Sequence, residues 1–557
     1  MIERTAALLV SSCLLLSVFS CGERSTSPPA AQFSSPKVIA ADGSQLSLPT
    51  AAIYPIDGEK VSRTGLELVC EAAGVKASPE AADQIWFGEN IFGAGLASVV
   101  FFGKHAASLD DSQWKALASI AADPERCQDA LDPEKNTGTF SPHAHEADRV
   151  PECSYMDAMT DQIADDIAQQ RGVSRNEAFR LLYSDGVTVE TPFRPEIQAA
   201  AERVYSDKTS FTDSYSESFP QSAFAAIDYS GSMVALVGGN NGNHAYDRAW
   251  RTLHPIGSSI KPLSVYSPAL IDGRISFSSL VDDSPIPEMS SPQEQWPRNY
   301  DRIYDGEITV TYALRQSKNT VPVKLVAEAG PGRSFDFLSE KLGFTTLAPQ
   351  DKDIPNMALG YLSRGVSVTE LAAAYQVFGS GGIYTPPAFY TKVTDAQGNV
   401  LAENRRQPIE AMSSADAWIM NRLLYYNISK DDGIAYAARL SDDREVIGKT
   451  GTVDNELGLD SDRLFVGGTP DLCAAVWLGY DQAGASIEDV EYKTPAAIWR
   501  AIIEQIPGEH DSFQPDSSVI EAEYCTESGG LACDKCQSTE TGYYKEGTLP
   551  ESCPLHS

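Results

Sequence analysis

The sequence contains little positive charge for its size. Its 557 residues include 43 lysines and arginines against 77 aspartates and glutamates, which gives a formal net charge of −34. Nucleic acids and anionic membrane surfaces attract basic proteins, so this balance argues against both as electrostatic partners. We therefore expect no nucleic-acid partner, and the charge alone identifies no substrate.

The start of the chain lacks a hydrophobic run long enough to cross a membrane. The apolar stretch from Ala6 to Ser20 is shorter than the roughly 20 residues that a spanning helix needs. The segment that ends it, Val18-Phe-Ser-Cys21, resembles the lipobox of bacterial lipoproteins. We therefore predict a signal peptide over residues 1–21, lipid modification of Cys21 and membrane attachment outside the cytoplasm. A retained membrane anchor is the alternative, and residues 22–52, rich in Ser, Pro and Ala, are predicted to form a disordered tether.

Three short motifs follow one another along the chain. They are Ser258-Ser-Ile-Lys261, Ser317-Lys-Asn319 and Lys449-Thr-Gly-Thr452. On a helix, Ser258 and Lys261 share one face, so the amine lies beside the hydroxyl. A serine hydroxyl needs an adjacent base, and a lysine can act as that base if burial and a second cation lower its pKa. Lys449 is the second cation, so the ordered set indicates a serine acyltransferase that uses no histidine.

The second motif follows a helix predicted over residues 309–316. At the end of that helix, Ser317 can relay a proton, and the Asn319 amide can bind a substrate peptide. An ordinary helix C-cap is the alternative reading, because asparagine suits that position.

The third motif ends a strand predicted over residues 445–452, followed by two more strand-like runs in an antiparallel meander. A strand at the edge of a cleft can accept an extended peptide. Lys449 and the hydroxyls of Thr450 and Thr452 can hold a carboxylate, and Gly451 removes a side chain where substrate approaches. The backbone N–H groups of Ser258 and Thr452 are predicted to form the oxyanion hole. A phosphate loop is disfavoured, because the glycine pattern that precedes its Gly-Lys-Thr is absent.

The flanks of the motifs resemble the class A (bifunctional) penicillin-binding proteins. The resemblance is carried by residues 224–239, by Ile256-Gly-Ser-Ser-Ile-Lys-Pro262, by Pro297-Arg-Asn-Tyr-Asp301 and by Met357-Ala-Leu-Gly360. It implies an α/β transpeptidase domain over residues 221–515, with a mainly antiparallel sheet flanked by helices and an all-helical lobe. It further implies Ser258 as nucleophile, Lys261 as base, Ser317 and Lys449 as proton relay, and Asn319, Thr450 and Thr452 as substrate-holding residues.

The N-terminal part departs from that family. Residues 85–104 resemble the closing motif of its glycosyltransferase domain, and residues 108–120 resemble the helix after it. The family's catalytic glutamates lie in an E-D-x-x-F-x-x-H-x-G segment and an R-K-x-x-E segment, and neither is present. We predict a helical glycosyltransferase remnant without activity over residues 53–186, followed by a linker over 187–220. An unrelated helical domain is the alternative, and a remnant implies a separate glycan polymerase as partner.

Cysteines cluster in the tail over residues 516–557. An oxidising compartment favours disulfides there, with a four-cysteine zinc site as the alternative. We predict no metal and no cofactor, and we assign His143 and His145 to a solvated loop. Cys473 is predicted to be a buried thiol. The tail cysteines are Cys525, Cys533, Cys536 and Cys553, and a further bridge is expected among Cys70, Cys127 and Cys153.

Together with the motifs, the resemblance implies a peptidoglycan D,D-transpeptidase of the cell envelope that crosslinks stem peptides through Ser258 and is acylated by β-lactams. Two alternatives remain. In the first, water resolves the acyl-enzyme, which makes the protein a D,D-carboxypeptidase or a β-lactamase. In the second, the protein is a non-catalytic penicillin-binding scaffold or sensor.

Overall fold

The architecture is that of a computed structural model. It describes residues 36–47, 56–87, 91, 93–126, 154–211, 220–240, 247–291, 295–455, 458–481, 485–487 and 493–556. Among these residues, every helix is too short or too polar to cross a membrane.

Helices account for most of the N-terminal part and surround the strands of the remainder. In chain order they are α1 (Arg63–Ala72), α2 (Pro79–Ala82), α3 (Ala94–Phe102), α4 (Asp111–Ala122), α5 (Ser154–Arg171), α6 (Arg175–Leu182), α7 (Pro195–Ser206), α8 (Ser267–Ile271), α9 (Val310–Arg315), α10 (Thr320–Ala329), α11 (Pro331–Asp336), α12 (Ile354–Leu359), α13 (Val368–Tyr375), α14 (Ser414–Ser429) and α15 (Pro495–Ile503).

Strands occur throughout the described residues, and their lengths range from two to nine residues. In chain order they are β1 (Lys37–Ile39), β2 (Gln45–Ser47), β3 (Thr188–Glu190), β4 (Gln221–Asp228), β5 (Met233–Val237), β6 (Leu280–Asp283), β7 (Gly306–Thr309), β8 (Ile383–Tyr384), β9 (Lys392–Thr394), β10 (Val400–Glu403), β11 (Ile409–Glu410), β12 (Ile447–Asp454), β13 (Asp460–Gly468), β14 (Leu472–Gly479), β15 (Val519–Cys525) and β16 (Thr539–Lys545).

The chain divides into two compact units. The first holds the described residues up to Pro195 together with Ala388–Arg405, and the second holds most of the rest. A segment inside residues 221–515, the predicted transpeptidase domain, is thus part of the first unit. Besides the helices predicted over residues 53–186, that unit contains a sheet, to which Ala388–Arg405 contributes two strands.

The sheet of the first unit has the strand order β10-β9-β3-β1-β2. Its register places Val38 beside Val189 and Val189 beside Val393, and all three side chains are fully buried. The prediction of a disordered tether over residues 22–52 is therefore wrong for β1 and β2. The predicted linker over 187–220 contains β3 and α7, and the boundary between the two units falls inside it, after Pro195. Three-residue strands are too short to show the alternating pattern from which strands are predicted.

The helices of the first unit form where the sequence indicates them. The side chain of Asp110 accepts hydrogen bonds from the backbone of Ser112 and Gln113, and the Gln113 side chain accepts one from the Asp110 backbone, so α4 begins with a capping box. Every residue of α3 is buried, and Trp114 of α4 packs in the same apolar core. A helix after residue 108 is thus confirmed, starting a few residues later than predicted.

The sheet of the second unit has the order β12-β13-β14-β4-β5, and each neighbouring pair is antiparallel. The predicted meander of β12, β13 and β14 is confirmed. One face packs against α7 and α15 through side chains such as Val204 and Trp499, and α13 lies against β4 and β14. Because helices cover both faces, β14 is buried along its whole length. The α/β class predicted from the sequence is therefore confirmed.

Candidate active site

The first motif lies on an irregular helical segment. Gly257–Ile260 form a 3₁₀ turn, Pro262–Tyr266 form a π-helical turn and α8 completes the segment. The sequence predicted one continuous helix ending near Gly273, and the end is confirmed because Gly273 has a φ of +68°. The backbone N–H of Lys261 donates to the carbonyl oxygen of Ser258, so the two motif residues lie one turn apart. Such π-turns are frequent at functional sites.

Close backbone packing fixes the turn that carries Ser258. Gly257 has a φ of +49°, and a Cβ there would overlap the carbonyl oxygen of Thr452. Gly360, with a φ of +82°, approaches just as closely, since its Cβ would overlap the carbonyl oxygen of Gly257. The hydroxyl of Tyr375 on α13 donates to the carbonyl oxygen of Ser259 at 2.5 Å. Strand β12, the loop after α12 and helix α13 therefore hold the Ser258 turn in place.

Lys261 is fully buried and makes three short hydrogen bonds. Its Nζ donates to the carbonyl oxygens of Ser317 at 2.9 Å and Lys318 at 3.0 Å. It also donates to Oδ1 of Asn319 at 2.6 Å. These oxygens come from consecutive residues of the second motif, so the first two motifs are joined through one amine.

Ser317 brings the third motif to the same point. It follows α9 with a φ of +54°, which is uncommon for a residue with a side chain. Its Oγ accepts a hydrogen bond from Nζ of Lys449 at 2.8 Å and lies 3.5 Å from Nζ of Lys261. The hydroxyl thus lies between the two amines. The left-handed turn that ends α9 is made by Ser317, whereas Asn319 begins α10, so the C-cap alternative for Asn319 is wrong.

Both amines are buried in surroundings that disfavour charge. Burial, with the nearby Lys449 as the second cause, lowers the pKa of Lys261 well below its usual range. Burial lowers the pKa of Lys449 to about 7. The three oxygens around Lys261 favour its charged form, but they are neutral acceptors and do not outweigh burial beside a second amine. The site therefore contains a lysine that can accept a proton near neutral pH.

Lys318 lies between the two predicted motif residues, and its importance was missed in the sequence. Its Nζ is 2.7 Å from a carboxylate oxygen of Asp305, 3.0 Å from one of Asp301 and 3.3 Å from one of Asp283. Burial alone would lower the pKa of Lys318, but these carboxylates outweigh it and raise the pKa. No spacing pattern connects the four residues, although Asp301 falls in a segment that carries the family resemblance.

Asn319 is held at both ends of its amide. Oδ1 accepts from Lys261, and Nδ2 donates to the carbonyl oxygen of Arg298 at 2.7 Å. Its backbone N–H donates to Oδ1 of Asn299 at 2.8 Å, and Asn299 in turn donates to Asp283 at 2.7 Å. In the structure Asn319 therefore positions Lys261, and binding of a substrate peptide by its amide stays a prediction.

The third motif lies on β12, an edge strand whose one neighbour among the described residues is β13. Lys449 and Gly451 are buried, whereas Thr450 and Thr452 are half-buried, as strand alternation requires. Oγ1 of Thr450 lies 3.4 Å from Nζ of Lys449. A Cβ at Gly451 would overlap the carbonyl oxygen of Ile256, and the approach of substrate to Gly451 stays a prediction. The roles of Thr450, Thr452 and the oxyanion hole stay predictions.

The remaining predicted residues lie apart from this centre. Cys21, Cys127, Cys153, His143 and His145 fall outside the described residues, so lipidation of Cys21 stays a prediction. Cys473 is a fully buried free thiol, as predicted. The predicted disulfides are not confirmed, because every cysteine in the described part of the chain is a free thiol. These cysteines are Cys70, Cys473, Cys525, Cys533, Cys536 and Cys553.

Known proteins share this architecture. Residues 222–481 match the family described as the penicillin binding protein transpeptidase domain. Penicillin-binding protein 1A of Clostridium botulinum is 31% identical over 411 residues, which cover 70% of this chain and 49% of the relative. Penicillin-binding protein 1F of Bacillus subtilis is 28% identical over 437 residues, covering 72% and 57%. The chain thus spans about half the length of these curated relatives.

Solved structures agree on the fold. The crystal structure of Penicillin-Binding Protein 1A from Haemophilus influenzae has a TM-score of 0.60 and 16% identity, and the match covers 94% of this chain and 99% of that one. The PonA1 protein from Mycobacterium tuberculosis, solved in complex with penicillin V, has a TM-score of 0.53 and 22% identity, covering 65% and 96%. The chain belongs to the penicillin-binding proteins, and its transpeptidase domain contains the three motifs.

Replacing Lys318 with methionine tests the carboxylate cluster around it. Lys318→Met leaves Asp283, Asp301 and Asp305 without their shared cation, and Asp283 is fully buried. Removing one partner of a buried ion pair costs about 3–5 kcal/mol, so the free energy of unfolding should fall by that amount in urea titrations. The loop that accepts the hydrogen bonds of Lys261 should lose support as well.

Lys324→Met is the matched control. Lys324 pairs with Asp282 at 2.6 Å, but both side chains are partly exposed. An exposed pair contributes less than about 1 kcal/mol. Equal losses of stability in the two variants would contradict a special role for Lys318.

Proposed function

We propose that this protein is a peptidoglycan D,D-transpeptidase that works through an acyl-enzyme on Ser258. The observation that carries the proposal is the convergence of Lys261 and Lys449 on the hydroxyl of Ser317, at 3.5 and 2.8 Å. This convergence lies inside the region that matches the transpeptidase family. The amines and the hydroxyl supply what a serine acyltransferase without histidine needs, namely a base and a path for the proton.

In the acylation step, Oγ of Ser258 attacks the carbonyl carbon between two D-alanines of a stem peptide. The neutral amine of Lys261 takes the hydroxyl proton, since burial beside Lys449 keeps its pKa low. The carbonyl oxygen becomes an anion and is stabilised by the backbone N–H groups of Ser258 and Thr452. The close approach of Gly257 to Thr452 supports this role, because it brings the two segments together.

In the next step the bond to the terminal D-alanine breaks, and the leaving amine needs a proton. Ser317 can deliver its hydroxyl proton and recover one from Lys261 or Lys449, since both amines lie within 3.5 Å of its Oγ. An amine of a neighbouring stem peptide then attacks the ester carbonyl. The attacking amine gives up a proton to Lys261, Lys261 passes a proton to Oγ of Ser258 as the ester bond breaks, and a new peptide crosslink remains.

Substrate binding is assigned to the open edge of β12. An extended stem peptide can add to this edge as a further strand. At a pH below its pKa, Lys449 carries a positive charge. Together with the half-buried Thr450 and Thr452, it can then hold the terminal carboxylate of the stem peptide. The same groups would hold the carboxylate of a β-lactam, which mimics the donor peptide.

We further propose that the protein acts in the cell envelope and makes no glycan chains itself. The sequence carries neither of the two glutamate-containing segments expected of the polymerising domain. A separate glycan polymerase would then supply the strands to be crosslinked. Attachment to a membrane through a lipid on Cys21 is consistent with work on a neighbouring wall.

Covalent labelling by a fluorescent penicillin tests the central assignment. The wild-type chain should form a stable adduct, and Ser258→Ala should abolish it because alanine has no hydroxyl to acylate. Ser284→Ala is the control, since the Ser284 hydroxyl hydrogen-bonds the neighbouring Asp282 and Lys324. Gel fluorescence and peptide mass mapping locate the label.

The outcomes separate the alternatives. Labelling that survives Ser258→Ala would sink the nucleophile assignment, and a chain that takes no label would be a scaffold. Rapid release of hydrolysed penicillin would indicate a β-lactamase. With a stem-peptide donor and an amine acceptor, release of D-alanine without a crosslinked product would indicate a carboxypeptidase.

Incubation with a lipid-linked disaccharide precursor tests the absence of polymerisation. We expect no glycan product above the background of a protein-free sample, because the glutamate segments are missing. A bifunctional class A enzyme run alongside serves as the positive control. Glycan chains made by the purified chain would overturn this part of the proposal.

A further inference from the structure

The C-terminal tail gathers three thiols and an imidazole around one point. Ligand atoms of Cys525, Cys536, Cys553 and His556 all lie within 4.8 Å of one another. Nδ1 of His556 lies 3.5 Å from Sγ of Cys525 and 3.3 Å from Sγ of Cys553. The residues come from three separate stretches of the tail, so folding of the tail brings them together.

These separations fit a tetrahedral metal centre. Zinc binds sulfur at about 2.3 Å and nitrogen at about 2.0–2.1 Å, which places neighbouring ligand atoms roughly 3.5–3.8 Å apart. A disulfide would instead need two sulfurs about 2.05 Å apart. We propose that Cys525, Cys536, Cys553 and His556 bind a structural zinc ion. With four protein ligands the coordination is complete, so no position is left open for catalysis.

Neighbouring groups orient the ligands as they do around bound zinc. Nε2 of His556 faces Oε2 of Glu527 at 3.6 Å, which leaves Nδ1 turned toward the sulfurs. A carboxylate behind a histidine ligand fixes the ring and makes it a better donor. The hydroxyl of Ser528 donates to Sγ of Cys553 at 3.2 Å, and the backbone N–H of Cys533 donates to Sγ of Cys536 at 3.3 Å. Such hydrogen bonds stabilise thiolates.

Cys533 lies beside this cluster and outside the proposed ligand set. Its Sγ is 3.7 Å from that of Cys536 and 3.4 Å from the carbonyl oxygen of His556. Its Sγ is not among the four ligand atoms that all lie within 4.8 Å of one another. This differs from the four-cysteine alternative considered for the sequence, because the histidine replaces Cys533 as the fourth ligand.

The C-terminal tail, held together by this site, supports α9, the helix before the second motif. Tyr524, next to Cys525, donates to a carboxylate oxygen of Glu540 at 2.8 Å. The same carboxylate accepts from Arg315, the last residue of α9, at 2.9 Å. Ser317 follows Arg315 by two residues. The zinc ion would therefore stabilise the hairpin of β15 and β16 that holds the end of α9.

Metal analysis of the full-length chain tests the proposal with zinc itself. After purification without chelator and dialysis against metal-free buffer, inductively coupled plasma mass spectrometry should find about one zinc ion per chain. Replacement by cobalt should give the visible absorption of a tetrahedral cobalt thiolate. Cys553→Ala and His556→Ala should lose the metal, whereas Cys533→Ser, the matched thiol control, should retain it.

Glu527→Gln guards against variants that fail to fold, because it leaves every ligand in place. It should weaken zinc affinity about 10- to 100-fold, as loss of a carboxylate behind a ligand does. Unchanged affinity in this variant would count against the site. A zinc-free chain whose four tail cysteines form two disulfides, seen by intact mass before and after reduction, would overturn it. The readout is metal content, so its failure is distinguishable from failure of Ser258 labelling.

Discussion

Two lysine amines share one serine hydroxyl in the interior of this protein, and the candidate active site depends on that arrangement. Lys261 and Lys449 both approach Oγ of Ser317, and both are fully buried. Two buried positive charges so close together are costly, so the pair gives up a proton more readily than exposed lysines do. The lowered pKa is what the proposed mechanism requires of Lys261, since a neutral amine can accept the proton of a serine without a histidine. The Ser258 turn, the left-handed Ser317 and the edge strand β12 bring these groups together.

The neighbouring Lys318 is also a buried lysine, but its pKa is shifted in the opposite direction. Lys318 is as buried as Lys261, yet three carboxylates surround it, and its pKa rises instead of falling. The loop from Ser317 to Asn319 therefore presents its backbone and hydroxyl to the reactive amines and its one cation to an acidic cluster. Burial alone does not decide the protonation state; the partners do. The cation that pairs with the acidic cluster is thereby distinct from the amine that approaches Ser317.

The parts of the fold and of the candidate site that depend on residues close together in the sequence could be predicted. The motif residues, the end of the helix at Gly273, the strands β12 to β14 and the helix before Ser317 all follow from spacing, capping and apolar runs. The misses depend on contacts between distant segments. Strands β1 and β3 are three residues long and form only because Val38, Val189 and Val393 meet in one core. The partners of Lys318 and the assembly of the tail thiols with His556 are likewise set by tertiary packing, which no sequence period records.

Nuclear magnetic resonance of lysine side chains in the isotope-labelled chain tests the central claim most directly. Titration of the amines, assigned with Lys261→Met and Lys449→Met, should show Lys449 losing its proton near pH 7. The pKa of Lys261 should lie well below the usual range of a lysine, whereas the pKa of Lys318 should lie above that range. Its carboxylate partners make Lys318 an internal control. If Lys261 and Lys449 both had a pKa of about 10.4, the value for a free lysine, the claim that burial lowers the pKa of this pair would be contradicted.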